Sequence, residues 1–158
     1  MSDKYVRLPD MLSGSEGKAF ITIDGKNREL FELLKISVNI EKTVAEKKLL
    51  GSRITQHKVT GLSIKGSATL ALMNGALLDS TLKYLKTGVF PDIKLQIKNL
   101  DNASSVGARE AVLSGVIFNT DLISMLEGES EDIITFDTDL TADGIELLSD
   151  FTLPQNYR

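Results

Sequence analysis

A mainly β fold, a sandwich or barrel subunit with one packed α-helix, is what this sequence predicts. Three observations point there. Apolar and polar residues alternate with period two in several separated stretches, only one stretch has a helical period, and turn residues punctuate the rest. The 158 residues are 42% hydrophobic and 25% charged, ample for a core and ordinary for a globular chain.

Residues 1–17, with Pro9, Gly14 and Gly17, show no periodicity and predict an N-terminal arm; residues 18–158 form the β domain. A strand over 18–23 runs into Asp24-Gly25, a pair suited to a tight hairpin. The returning strand sets Leu34, Ile36, Val38 and Ile40 against Lys35, Ser37, Asn39 and Glu41, one face dry and one wet. Residues 43–58 read as a long polar loop. Beyond it Leu62, Ile64, Ala68, Leu70 and Leu72 oppose Ser63, Lys65, Ser67 and Thr69. A helix is expected over 75–87: Asn74 caps it, Leu78, Leu82 and Leu85 form a stripe that Leu77 and Thr81 widen, this face packing on the sheet, and Gly88 and Pro91 stop it. Ile93, Leu95 and Ile97 alternate in the next strand, and NLDNASSVG over 99–107 is a loop. Residues 108–121 read as one strand apolar on both faces. An acidic turn over 127–131 precedes a last alternation, Ile134, Phe136, Thr138 and Leu140 against Thr135, Asp137 and Asp139.

Composition excludes several functions. The net charge is −4 and aromatic content 6% without Trp, which argues against a basic or base-stacking nucleic-acid surface. Cysteine is absent, so no disulfide or zinc–thiolate site is available. No stretch has the character of a signal peptide or approaches the length of a membrane span, so synthesis and assembly in a cytoplasm are expected.

The motifs that suggest chemistry are weak. DLTADGIELLSD places Asp139, Thr141, Asp143, Gly144 and Asp150 at calcium-loop spacing, but Asp150 stands where a bidentate Glu belongs and strand precedes it. A hairpin turn is the simpler reading. GSEGK at 14–18 lacks the glycine spacing and the Ser or Thr of a phosphate loop. His57 is the single histidine, flanked by Gln56 and Lys58, and reads as structural. Asp137 and Asp139 share one strand face, a wet acidic wall rather than a glycosidase pair. No catalytic, metal or cofactor site is expected, and the chain does not read as an enzyme.

Four segments carry a resemblance: LSGSEGKAF at 12–20, EKTVAEKKLLGSRITQHKVTG at 41–61, GSATL at 66–70 and SVGAREAVLSG at 105–115. Together they resemble the tail-tube proteins of contractile phage tails, defective prophages and R-type bacteriocins. That family has an SGKEG-like segment before its first strand and a GKR-TQHK-G-like loop; Ser13-Gly14-Ser15 and Gly51-Ser52-Arg53 depart from it by a Ser for a Lys in each, and Leu62 stands where relatives often carry Trp.

The resemblance implies a homo-hexameric ring whose strands join into a continuous inner barrel, rings stacking into a tube that conducts DNA or ions. It implies partnership with a sheath, baseplate, tape-measure and tail-terminator proteins in a virion or phage-like particle, with no membrane insertion by this chain. Contacts between subunits or rings are then expected from Leu12, Ser13, Gly14, Glu16 and Gly17 of the arm, and from Leu50, Gly51, Arg53, Thr55, Gln56, His57 and Lys58 of the loop. Thr135, Asp137 and Asp139 are expected to face the lumen. The alternatives are a ring-forming tube of a secretion or injection machine, and a small β-barrel ligand-binding module.

Overall fold

A computed structural model describes residues 7–15, 17–30, 32–73, 75–128 and 133–157. Two antiparallel sheets enclose one core. The first has five strands in the order β2-β1-β5-β6-β9, from β1 (Lys18–Ile23), β2 (Lys26–Glu29), β5 (Ile93–Leu100), β6 (Ala108–Ser114) and β9 (Gly144–Ser149). The second has four, β3-β4-β8-β7, from β3 (Leu33–Lys47), β4 (Gln56–Ala71), β7 (Ile117–Phe118) and β8 (Thr135–Ala142). The helix α1 spans Ala76–Thr87. Among the described residues neither sheet closes on itself, so the subunit is a sandwich and not a barrel.

The core is what the alternation requires. Ile21, Ile93, Leu95 and Leu113 point inward from the first sheet and Leu70 and Leu140 from the second, all fully buried. Each such side chain contributes about 1.5–3 kcal/mol of transfer free energy. The Asp24-Gly25 hairpin forms as expected, with both residues at positive φ, 49° and 82°, and Ile23 opposite Lys26.

The returning strand is not the one expected. The chain comes back as the short β2, then crosses at Leu30–Glu32 to begin β3 in the other sheet. Buried Glu32 anchors this crossing: it takes both Nη atoms of Arg28 at 2.8 and 3.0 Å, and its carbonyl accepts the Ala71 N–H. An irregularity between Leu33 and Lys35 turns Leu33 to the core and leaves Leu34 exposed, against the expected parity. Ile36 and Val38 do pack inward.

Residues 43–58 are mostly strand. β3 and β4 continue together to Lys47↔Gln56, leaving 48–55 as the connection. The segment escapes a period-two reading because no second sheet covers it, so neither face needs to be apolar.

Residues 108–121 are two strands in different sheets. β6 ends at Ser114, the chain turns at Gly115, and β7 joins the other sheet at Ile117. Beside this corner β8 passes back into β9 through Asp143, whose N–H donates to Ser114 O at 2.9 Å. A Cβ on Gly115 would fall 2.9 Å from Asp143 Cβ, and its φ is +62°, so only glycine is unstrained there. The Asp143-Gly144 pair is thus a change of sheet, and β9 after it is a strand that the alternation did not reveal.

Helix α1 turns the Leu77 and Thr81 edge of the expected face inward rather than its Leu82 and Leu85 centre. Leu77 and Ser80 are buried, while Leu82 and Leu85 are exposed. The Thr81 hydroxyl donates to Asp121, and Tyr84 meets Phe90 edge-on at 6.2 Å; both hold the neighbouring stripe against the body. The N-cap is Gly75, with no side-chain cap, and the expected cap Asn74 lies outside the described residues, as do Glu129, Glu131 and Asp132 of the acidic turn. Gly88 closes the C-terminus at φ 74°, its N–H donating to Tyr84 O.

Candidate assembly surfaces

The open face of the four-stranded sheet is polar across β3, β4 and β8, and only at the β7 edge does exposed Ile117 stand beside Thr141. Register sets Lys35 beside Thr69 and Thr69 beside Asp137, then Ser37 beside Ser67 and Ser67 beside Asp139. Thr135 continues the same parity at the start of β8. Asp137 accepts from Thr69 Oγ1 at 2.6 Å, and Glu41 lies 3.8 Å from Lys65 Nζ on the same face. The lumen candidates therefore share one hydrated wall of mixed charge.

The β3–β4 hairpin leaves the body. β8 follows β4 only to Ile64↔Ala142, so residues 56–63 of β4 have β3 alone as a neighbour. At about 3.3 Å per residue that is a projection of some 25 Å. Its underside exposes Ile40, Val44, Val59 and Leu62. At its end Leu50 is fully exposed, Gly51 takes φ +84°, and Ser52 closes the turn by bonding the N–H and C=O of Ile54 at 3.2 and 3.1 Å. Arg53 and Thr55 lie in this turn; Gln56, His57 and Lys58 open β4. His57 Nε2 stands 3.4 Å from Glu46 across the hairpin, both exposed, an arrangement that braces the strands.

The arm is tied down. Asp10 is buried, accepts from Ser105 Oγ at 2.7 Å, and its carbonyl accepts from Ser104 Oγ at 2.8 Å. Asp101 takes the Ser13 N–H at 3.0 Å. The Ser105 hydrogen bond, with Arg7 assisting and burial opposing, holds the Asp10 carboxyl below the usual aspartate range. The same 101–107 loop holds the other end of the chain: Val106 O accepts the Thr152 N–H at 2.8 Å and Ser105 Oγ the Gln155 N–H at 3.0 Å. Arg109 adds a 2.6 Å bond to Asp150, whose carboxyl it lowers, and stacks on Phe151 at 4.6 Å. Gly14 and Gly17 line a groove of about 450 Å³ between the sheets, floored by Leu30, Leu33 and Ile36; Leu12 is exposed beside it. Glu16 lies outside the described residues.

The expected contact residues thus fall at two places, the arm near the start of β3 and the hairpin at its far end, and the structure does not bring them together. Further exposed apolar groups stand on Ile123 and Leu126 after β7, Leu147 and Leu148 on β9, and Leu82 and Leu85 on α1. Their signal in the sequence was apolar surface that the core did not need. Among the described residues no cluster of His, Asp and Glu is placed to hold a metal, and Asp139 and Thr141 lie in extended β8 rather than in a calcium loop.

A sandwich with a fifteen-residue strand at one sheet edge, a wet sheet face and a projecting hairpin is a subunit built to assemble. The family model described as "Phage tail tube protein" matches residues 4–149, and the chain belongs to that family. It is 30% identical over 126 residues to the Phage-like element PBSX protein XkdM of Bacillus subtilis, covering 80% of this chain and 83% of XkdM; the uncharacterized protein YqbM of the same strain matches equally. Among solved structures, a chain of the anti-feeding prophage baseplate superposes with a TM-score of 0.62 at 13% identity, covering 94% of this chain and 97% of that one. A chain of the PVC extracellular contractile injection system sheath–tube complex gives 0.58 at 13%, covering 84% and 88%. The fold is shared with these.

Proposed function

We propose that this chain builds the inner tube of a contractile phage tail or phage-like particle, by closing into hexameric rings that stack. The observation that carries the reading is the edge of β3. It ends the four-stranded sheet along Leu33–Lys47, and its outer peptide groups have no strand partner among the described residues. Such an edge pairs with whatever strand is offered, and a neighbouring copy satisfies it without leaving a new edge once the ring closes. Six four-stranded sheets would form a barrel of twenty-four strands, too wide for side chains to fill. Its lumen is then hydrated, and the wall carrying Thr135, Asp137 and Asp139 suits it. A neutral to acidic wall does not bind phosphates and lets DNA or ions slide.

The hairpin residues Leu50 to Lys58 and the arm residues Leu12 to Gly17 supply contacts between subunits and rings. The sheath, baseplate, tape-measure and tail-terminator proteins are the partners of such a tube, and the host's cytoplasm is where it assembles. XkdM belongs to a phage-like element, which supports the particle over a free-standing ring.

Negative-stain electron microscopy of the purified chain at high concentration is expected to show hollow rings or tubes. Arg53→Glu should reduce them about tenfold while leaving the circular dichroism unchanged. Monodisperse monomer at all concentrations, with or without isolated baseplates as nuclei, would overturn the reading.

A further inference from the structure

The core of this sandwich is open on two opposite flanks. On the first, the groove between the sheets is floored by Leu30, Leu33 and Ile36, and Lys18, Lys35 and Lys98 line it. Among the described residues Glu29 is the one carboxylate in that lining, and none of the three lysines is in an ion pair. Strand β2 pairs with β1 only as far as Phe20↔Glu29, so the edge of β1 at Lys18 has no strand beside it on that flank among the described residues. On the second flank the covering sheet is cut short, because β7 has two residues. There Ile145 and Leu147 of β9 stand opposite Leu113 and Ala111, on the face of fully buried Leu113, yet they are 42% and 50% exposed.

Charge divides in the same way. Residues 110–157 contain no Lys or Arg, and they make up β7, β8, β9 and most of β6. Arg109, just before them, is engaged by Asp150. On β9 itself Glu146 is exposed and in no ion pair among the described residues. Strand parity agrees with the charges. With Ile145 and Leu147 turned toward a core, Glu146 points to the outer side of the five-stranded sheet. Lys18 and Lys98 are cross-strand neighbours beside core-facing Ala19 and Ile97, and they point to that same side.

We propose that the groove seats strand β9 of a second copy, with Ile145 and Leu147 entering over Leu30, Leu33 and Ile36 while Glu146 meets Lys18 and Lys98. The proposal rests on the ring reading and names what fills the groove when the ring closes. The two flanks differ, so the contact is heterologous: each copy gives β9 to one neighbour and its groove to the other. One core then continues from subunit to subunit. Apolar surface leaves water on both sides, and the opposite charges fix the register. Within one copy β9 stands three strands from β1, about 14 Å, too far for Glu146 to touch Lys18.

The wild-type chain carries the test. Tubes are assembled from a mixture of isotope-labelled and unlabelled chains and treated with a carbodiimide, which joins a carboxylate to an amine that it touches. The expected result is an amide between Glu146 and Lys18 or Lys98 in peptides that combine a labelled with an unlabelled chain, absent from the monomer fraction. Tubes in which these lysines join other carboxylates, or none, would overturn the pairing and leave the tube reading standing; a Glu146 link confined to single chains would overturn it too. A chain that never assembles would remove both readings. As a second readout, Lys18→Glu should lower ring yield about tenfold, and Glu146→Lys in the same chain should restore it. Lack of restoration in a chain with unchanged circular dichroism would overturn the pairing.

Discussion

Asp10 keeps the N-terminal arm on the body by its charge. Its ionised carboxylate accepts from Ser105, which favours the charged form and lowers its pKa below the ordinary value; Arg7 adds to this and burial works against it. A group lowered on folding contributes stability at pH values above its ordinary pKa, and the contribution is lost as pH falls through the folded value. The arm should therefore hold near neutrality and loosen as the pH drops below about 4. Asp150, lowered by Arg109, titrates in the same direction at the other end of the chain. Asp10→Asn separates the two. At pH 7 it should speed tryptic cleavage after Arg7 several-fold, with the rest of the chain equally resistant; an unchanged rate would show that the charge does not hold the arm.

At the scale of elements, the corner formed by Gly115 and Asp143 carries the topology. Gly115→Ala puts a Cβ against Asp143 and a non-glycine residue at positive φ, a cost of about 1–3 kcal/mol. Urea unfolding should show a lower midpoint with the slope unchanged, since no surface is added or removed. Strands under both sheets were legible because burial on one face imposes a period: Ile93, Leu95 and Ile97 in β5, Thr138 and Leu140 in β8. Where that pressure is absent the pattern fades. The projecting half of the hairpin has no covering sheet, so TVAEK over 43–47 read as loop. A period cannot show a change of sheet either, and residues 108–121 looked continuous through Gly115. The helix was clear from its caps and spacing, but Leu77 and Leu78 begin two adjacent apolar stripes. Which one is buried depends on Phe90 just past the helix and on Asp121, distant in sequence.

For the whole molecule the orientation of the four-stranded sheet in a ring is the central expectation. If its polar face lines the lumen, Asp137→Cys should react with a small maleimide in both monomer and tube, but with a bulky polymer-linked maleimide only in the monomer. Equal labelling of the tube by the bulky reagent would put that face outside. The contact residues named in advance came from likeness to known tube proteins rather than from chemistry, because surfaces made to meet copies of themselves show no reacting groups. What the residues did disclose was negative: no thiol, one histidine and few aromatics.

The paired crossings at Ser114–Gly115 and Asp143 have a mechanical consequence. Force that pulls one sheet past the other would shear an apolar core, which resists sliding poorly because its contacts have no direction. Here the chain passes twice between the sheets at one corner, and the two passages are joined by the Asp143 N–H to Ser114 O bond. The load is taken as tension along two covalent backbones at the root of the extended hairpin, where β4 parts from β8 at Ile64↔Ala142.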